Sequence, residues 1–499
     1  MVTENALLTA AMALGFSLND KELRELPALV QGLLDGIADL PELEIAPGPK
    51  RAWLKPAPGA DPLNAFAVLT DISEAHDGPL AGLRVAIKDS VAVAGVPMGD
   101  GSSLLNGYLP EFDAEVVQRL LKAGARIVGK TNTECFCASG ASFTGLNGPV
   151  LNPWDHARSA GGSSSGSAVA VATGLADLAL GGDQGGSIRI PAALCGIVGL
   201  KPTFGRVPYL GAASVDGSLD HLGPMARKTR DAARMLAVIA GYDPADPRSN
   251  AALPAQDWLA ACDLSVPGLR IGAVAEGFLP ERANAPMAQS VREALARLNA
   301  AGAQVQEVSV PGHAKAIATW LPVILYGTLS GMWADGGGAG LTRDAMGSMV
   351  RHLSGWPARA DELSDILRVI LLAGECARRQ HGFEPYLRAH SLGRDLSDAY
   401  DQALAEVDVL AMPTVPAVAG LLPGPGATTA ERWEAAVATT GNTSAFNLTG
   451  HPAITVNCGF VDGLPVGLMF VARKGDEASL FRAACAVEAV TPEAFPPPV

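Results

Sequence analysis

Residues 159–203 constrain this chain more than any other stretch: SAGGSSSGSAVAVATGLADLALGGDQGGSIRIPAALCGIVGLKPT. Two glycine- and serine-rich loops, Gly161-Gly162-Ser163-Ser164-Ser165-Gly166 and Gly185-Gly186-Ser187, lie about 20 residues apart. The Ala/Val run at 167–173 between them predicts a short buried helix ended by Gly174, and the apolar run at 178–180 predicts a strand. Glycine frees the backbone and lets it approach a ligand closely. A helix and a strand that fold back on each other bring serine hydroxyls and free N–H groups around one small polar group, the arrangement that acyl transfer requires.

The 499-residue chain is rich enough in hydrophobic residues (48%) and poor enough in charge (18%) to build a large core and to make disorder a poor reading. A net charge of −14 argues against a nucleic-acid footprint. The seven cysteines, Cys135, Cys137, Cys195, Cys262, Cys376, Cys458 and Cys485, are odd in number and scattered, unlike a disulfide framework. Cys135-Phe136-Cys137 has no second pair to complete a zinc site. They read as reduced core cysteines in a cytoplasmic protein. No apolar run is long enough for a membrane span. The apolar run 6–16 is preceded only by Glu4, where a signal peptide carries Lys or Arg, so it reads as a core helix.

Residues 1–65 are expected to form an α-helical appendage, in which Pro27 starts or kinks the second helix and 47–62 is a linker. Residues 66–499 are expected to form one α/β body. It opens with a strand at 83–87 ending in Lys88, a helix capped by Asp113, and a strand at 125–128. That order implies parallel pairing. The pattern returns at 269–274, 287–300 and 304–310, and again at 398–412. Further strands at 453–458 and 466–471 precede a helix at 478–490. The less regular region 255–400 reads as a subdomain or lid.

Two formal motif matches point away from the chemistry. Residues 124–131 fit G-x-x-x-x-G-K-T, but a helix precedes the first glycine and a strand fills the loop positions, the reverse of a P-loop. Gly162-Ser163-Ser164-Ser165-Gly166 fits G-x-S-x-G, but turn formers rather than a core strand lead into it. Lys88 carries more. At a strand end it is either a snorkelling side chain or a desolvated base. Lowering it from about 10.4 to near 7 takes about 4 kcal/mol, within what burial supplies. None of the eight histidines falls in a motif beside the serine loops, so Ser–Lys fits better than Ser–His–Asp. In Asp183-Gln184-Gly185-Gly186-Ser187-Ile188-Arg189 the alternatives are a plain tight turn and a nest. In the nest, the amides of Gln184, Gly185, Gly186 and Ser187 would hold an oxyanion while Asp183 and Arg189 pair to brace the turn.

Lys88, the GGSSSGSA loop and GGDQGGSIRIPAALCGIVGLKPT resemble the amidase signature family. The likeness extends to Val207-Pro208-Tyr209, Asp220-His221-Leu222-Gly223-Pro224 and Asn447-Leu448-Thr449-Gly450-His451-Pro452-Ala453, over roughly residues 65–490. The resemblance implies a large mixed β-sheet flanked by helices and a Ser-Ser-Lys triad. In that triad Ser187 is the nucleophile, Ser163 the bridging serine after a cis bond, and Lys88 the base. It implies an acyl-enzyme on Ser187, no cofactor and no metal. Gln184, where transamidosome-type members usually carry Thr, and the helical N-terminus resemble the amidases that often accompany nitrile hydratases. Those act on small aliphatic and aromatic carboxamides and are typically homodimers. Phe143, Trp320 and Tyr326 are candidates for an acyl pocket, with a plain core role the alternative for each. The other functional readings are a glutaminase subunit of a tRNA amidotransferase working with partner chains, esters or anilides as substrates, and a binding module without catalysis.

Overall fold

The computed structural model describes residues 1–40, 48–333 and 347–491. The first residue of the expected linker and residues 334–346 of the expected lid lie outside these. The chain divides into two compact units, Met1–Pro47 and Gly48–Val499. Residues 48–65, expected in the helical appendage, belong to the second unit and contain a two-residue strand, Trp53–Leu54.

The first unit holds the helices Glu4–Leu14 and Asp20–Ala38. Asn19 and Glu22 form a reciprocal capping box, so the second helix begins at Asp20 and runs through Pro27, which neither starts nor ends it. Leu7 and Ala11 are buried, whereas Met12, Leu29, Leu33, Ile37 and Leu40 are exposed.

The second unit is built on one 12-stranded mixed sheet. Its strands are β1 (Trp53–Leu54), β2 (Phe66–Ile72), β3 (Arg84–Lys88), β4 (Arg126–Thr131), β5 (Leu178–Asp183) and β6 (Val198–Lys201). The second half comprises β7 (His221–Ala226), β8 (Arg270–Val274), β9 (Gln304–Val308), β10 (Val409–Pro413), β11 (Ala453–Val461) and β12 (Leu464–Val471). They lie in the order β1-β2-β4-β3-β5-β7-β6-β11-β12-β10-β8-β9. The trios β4-β3-β5 and β10-β8-β9 are parallel, and the other pairings are antiparallel. Region 255–400 supplies β8 and β9 to this sheet.

The β3–helix–β4 crossover matches the expected order, with one difference at the cap. Asp113 does not cap the helix Glu115–Lys122, because its carboxylate takes Arg51 Nη1 at 2.5 Å and the Ala94 amide at 2.9 Å. Within the P-loop look-alike, residues 126–131 are β4, as its dismissal required. β6 and β7 are short and carry Gly or Pro, so local propensity conceals them. Both are buried along their whole length, and pairing with β5 and β11 makes them strands.

The sheet positions the site through its parallel trio. Ile87 pairs with Leu180 and Lys88 with Thr131, so β3, β4 and β5 end at the same edge. Ligands of open α/β sheets bind at the carboxyl ends of such strands. Lys88 ends β3, and the turn holding Ser187 follows β5.

All seven cysteines are free. Cys135, Cys195 and Cys458 are buried, but Cys376 is exposed and so is not the core residue expected. Among the described residues no helix is long and apolar enough to cross a membrane.

Candidate active site

Each of the two serine loops is stiffened by the protein around it. The first, after β-bridged residues Leu151 and Ser159, runs into the helix Ser165–Ala172, all of whose residues are buried. The Gly162–Ser163 bond is cis. The Ser163 carbonyl accepts from Thr133 Oγ1 at 2.8 Å, which fixes the loop from one side. Ser164 fixes it from the other, donating Oγ–H to the Gly182 carbonyl at 3.1 Å and accepting the Gly182 amide at 3.2 Å.

The second loop is braced by buried charge. Arg189 Nε donates to Asp183 Oδ2 at 3.0 Å and Nη2 to Oδ1 at 2.9 Å, both side chains fully buried, so Asp183 and Arg189 pair as the sequence suggested. Burial opposes charge on Asp183, yet the Arg189 guanidinium outweighs it and holds this carboxyl well below the usual carboxylate range. Asn447 Nδ2 donates to the Asp183 carbonyl and to Oδ1, each at 2.8 Å, and its Oδ1 accepts Arg189 Nη2 at 2.7 Å. That gives the distant Asn447-Leu448-Thr449-Gly450 block a physical role: it clamps the turn. Gly185 is needed for close approach, since a Cβ there would lie 2.7 Å from the Trp320 ring. Gly186 adopts φ 131°, open to glycine.

Two of the three residues expected to form the triad touch at the strand edge, and the backbone of the third lies beside them, the Ser164 amide donating to the Ser187 carbonyl at 3.1 Å. Lys88 and Ser163 are fully buried, and Lys88 Nζ donates to Ser163 Oγ at 2.7 Å and to the Gly182 carbonyl at 3.4 Å. Ser187 is 7% exposed and lines a cavity of about 300 Å³. Among the described residues its hydroxyl has no hydrogen-bond partner. Of the four expected oxyanion donors one is corrected: the Gly186 amide donates to Asp183 Oδ1 at 2.8 Å, as the Ile188 amide does to Oδ2 at 3.1 Å. The carboxylate that braces the turn consumes that donor and leaves Gln184, Gly185 and Ser187.

The cavity wall comes from elements whose role the sequence concealed. The helix Ala316–Trp333 contributes Ile317, Trp320, Leu321, Ile324, Leu325 and Thr328 at helical spacing. Ile370 comes from the helix Asp365–His381, and Trp433, Ala436 and Val437 from the helix Thr429–Val437. No charged residue is among the described residues that line it. Trp320, one of the three aromatic candidates, is in the wall, with Nε1 donating to the Gln184 carbonyl at 2.9 Å. Phe143 is not. It packs outside with Ile366 and Ile370, under the Arg432 guanidinium at 4.9 Å. Tyr326 is not either, because it sits on the other face of the same helix, bonded to the Gly382 carbonyl at 2.6 Å and tilted against Phe383 and Tyr386.

Gln184 also lines the cavity. Its Nε2 donates to Tyr209 Oη at 2.9 Å and Asp220 Oδ1 at 3.2 Å, while its buried Oε1 has no partner among the described residues. Burial pushes Asp220 up to about 6 against the pull of Arg248, which also lies over the Tyr209 ring at 4.5 Å.

The sequence and the fold are matched by known proteins. The amidase family profile matches residues 61–481. An enantioselective amidase of Rhodococcus rhodochrous is 41% identical over 493 residues, covering 97% of this chain and 94% of that protein. The A subunit of the glutamyl-tRNA(Gln) amidotransferase of Methanosarcina acetivorans is 38% identical, covering 83% of this chain and 86% of its own. The solved peptide amidase of Stenotrophomonas maltophilia superposes with a TM-score of 0.69 at 32% identity, over 84% of this chain and 85% of that one. With a family match across most of its length and amidases among its relatives, the chain belongs to the amidase signature family and is a hydrolase of amide C–N bonds.

Proposed function

We propose that this protein hydrolyses uncharged carboxamides with aromatic or branched aliphatic acyl groups through a Ser187–Ser163–Lys88 relay. The observation that carries the reading is the 2.7 Å contact between buried Lys88 Nζ and Ser163 Oγ, with Ser187 in the wall of an apolar cavity. Neutral Lys88 accepts the Ser163 proton as Ser163 accepts that of Ser187. The Ser187 Oγ then bonds to the amide carbon. The oxyanion is held by backbone amides from among Gln184, Gly185 and Ser187, each worth about 2.7–4 kcal/mol of barrier. The C–N bond breaks as Ser163 passes the proton to the departing ammonia or amine, leaving an ester on Ser187. Water, deprotonated through the same relay, adds to the ester and releases the acid.

The wall supports the substrate class. Burying an apolar acyl group there gains about 25 cal/mol per Å², and a charged acyl group would lose its hydration without a partner. The similarity to glutamyl-tRNA amidotransferase A subunits favours a second reading, a glutaminase acting with partner chains. Against it, the described cavity wall has no charged group to hold the ammonium and carboxylate of glutamine. The exposed Leu29, Leu33, Ile37 and Leu40 of the first unit suit a second copy of the chain as partner, which light scattering on the purified protein would test.

The function is tested by ammonia release from a panel of aromatic, aliphatic and charged primary amides, glutamine included, with wild type and Ser187→Ala. Turnover of the apolar amides that vanishes in the variant supports the proposal. Turnover of glutamine alone would replace the substrate class.

A further inference from the structure

The helix Ala316–Trp333 that walls the substrate cavity has a second cavity, of about 160 Å³, at its other face. The wall of this one combines a buried carboxylate with three aromatic rings. Asp216, from the segment between β6 and β7, is 6% exposed. Tyr326 comes from the helix itself, and Phe383 and Tyr386 come from the start of the helix Glu384–Glu406. The Tyr326 ring lies 5.6 Å from that of Phe383 and 6.1 Å from that of Tyr386, inclined to them by 54° and 47°, and all three line the one space. Phe383 is 54% exposed, so one side of the cavity stands at the protein surface.

The carboxylate is held in place by neutral donors. Asp216 Oδ1 accepts the Ser218 amide at 2.9 Å and the Ser218 hydroxyl, and Oδ2 accepts the Tyr386 phenol at 3.1 Å. Burial, then the Asp216 charge, pushes that phenol above its ordinary value, which keeps it a donor. Asp220, only four residues on, is instead paired with Arg248 at 3.2 Å. His390 stands edge-on to the Tyr386 ring at 4.5 Å, but burial holds it below its ordinary value, so it brings no positive charge at neutral pH. Gly327 gives the carboxylate its room, since a Cβ there would lie 2.5 Å from both Asp216 Cβ and Oδ2. Glycine weakens a helix interior, and here its missing side chain is the space that Asp216 fills. A buried carboxylate met only by neutral groups is costly, and a cation beside it offsets that cost.

We propose that this second cavity is a binding site for a small organic ammonium ion, with the Asp216 carboxylate as its counter-charge and the rings of Tyr326, Phe383 and Tyr386 around its alkyl groups. Aromatic rings attract a cation through their quadrupole and also take up its apolar surface. A bare metal ion fits poorly, because hard cations want about six or more oxygen ligands and most of this wall is ring carbon. Size sets a further limit: a cavity of about 150 Å³ accepts a molecule as large as benzene, so the ligand has about six non-hydrogen atoms. The site takes no part in the Ser187 relay and stands whether or not that reading holds.

The test is a ligand-observed NMR titration of the whole chain with tetramethylammonium and tert-butylammonium chloride. Tert-butanol serves as the neutral molecule of similar shape, and potassium chloride as the salt control. Wild type is expected to bind both ammonium ions saturably and the alcohol far more weakly, with potassium unable to displace them. Asp216→Asn keeps the shape and an acceptor but removes the charge, and should weaken both cations by about tenfold or more. Phe383→Leu replaces an exposed ring by an apolar side chain without a π face, and should weaken them by about threefold to tenfold. That variant decides the matter if Asp216→Asn folds poorly. Tighter binding of tert-butylammonium, a form in which an amide can release its amine, supports the site and points to a leaving group as its ligand. Tighter binding of tetramethylammonium, which no amide releases, supports it and points to an amine from elsewhere. No saturable binding of either cation, tert-butanol bound as tightly as the cations, or affinities unchanged in the folded variants overturns the proposal.

Discussion

The turn that holds Ser187 and the wall that faces it meet in one cavity but are specified in different ways. The turn is local. Asp183, Gly185, Gly186, Ser187 and Arg189 lie within seven consecutive residues, and each is there for a reason of backbone geometry or charge. The wall is assembled from three helices at 316–333, 365–381 and 429–437, through residues that any apolar helix face carries. Chemistry at a carbonyl demands particular atoms at fixed angles, whereas recognition of an apolar acyl group demands only shape. The first requirement leaves a mark in a single sequence and the second does not.

This contrast breaks most sharply at Ser187. Ser187→Ala should reduce kcat by at least about 10⁴-fold while leaving melting unchanged, because its hydroxyl has no described hydrogen-bond partner to lose. Residual turnover near wild type would show that the turn is only structural. The next largest effect should fall on folding. Asp183→Asn leaves buried Arg189 without its opposite charge and with one acceptor fewer, and should cost about 3–5 kcal/mol in chemical denaturation. The pH dependence has a definite sign. Because the folded-state value of Asp183 is depressed, its contribution is complete above the ordinary carboxylate value of about 4 and is lost only as pH falls below it. A difference between wild type and Asp183→Asn that is greatest in acid would contradict that assignment.

These unequal marks explain what was legible. Lys88, Ser163 and Ser187 stand out because glycine and serine clusters and a strand-end lysine have few other uses; in the structure Lys88 touches Ser163, and Ser187 lines the cavity. The strands at 84–88, 178–183 and 453–461 were readable from apolar runs. β6 and β7 were not, since only pairing across the sheet makes strands of such short segments. Sequence places Gly186 among the oxyanion donors because it gives adjacency but not direction, and the Asp183 carboxylate claims its amide. Phe143 and Tyr326 are pocket candidates in the sequence for their aromaticity alone. Helical phase decides the matter for Tyr326, which lies off the stripe formed by Ile317, Trp320, Leu321, Ile324, Leu325 and Thr328.

The wall's own test is Trp433→Ala. Trp433 faces the cavity from the helix Thr429–Val437 and belongs to none of the catalytic contacts. Removing it should lower kcat/KM for aromatic amides by about 10- to 100-fold, with little effect on acetamide, which is too small to reach it. Equal losses for both substrates would mean that this wall supports the turn instead of selecting the acyl group, and the division drawn above would fail.

The smallest effect should come from Tyr326→Phe, and it sharpens the comparison most finely because Tyr326 and Leu325 are neighbours in sequence with opposite surroundings. Leu325 faces the cavity, whereas Tyr326 bonds outward to the Gly382 carbonyl at 2.6 Å and packs on Phe383 and Tyr386. Losing that hydroxyl leaves one carbonyl without its donor, a cost of about 1 kcal/mol in stability. It removes nothing from the cavity, so kcat and KM across the amide panel should match wild type. A change in acyl preference without a change in stability would put Tyr326 in contact with substrate and reverse the facing of this helix. A stability loss with untouched kinetics places the boundary between wall and scaffold between two adjacent residues, a distinction that helical phase makes and aromatic character does not.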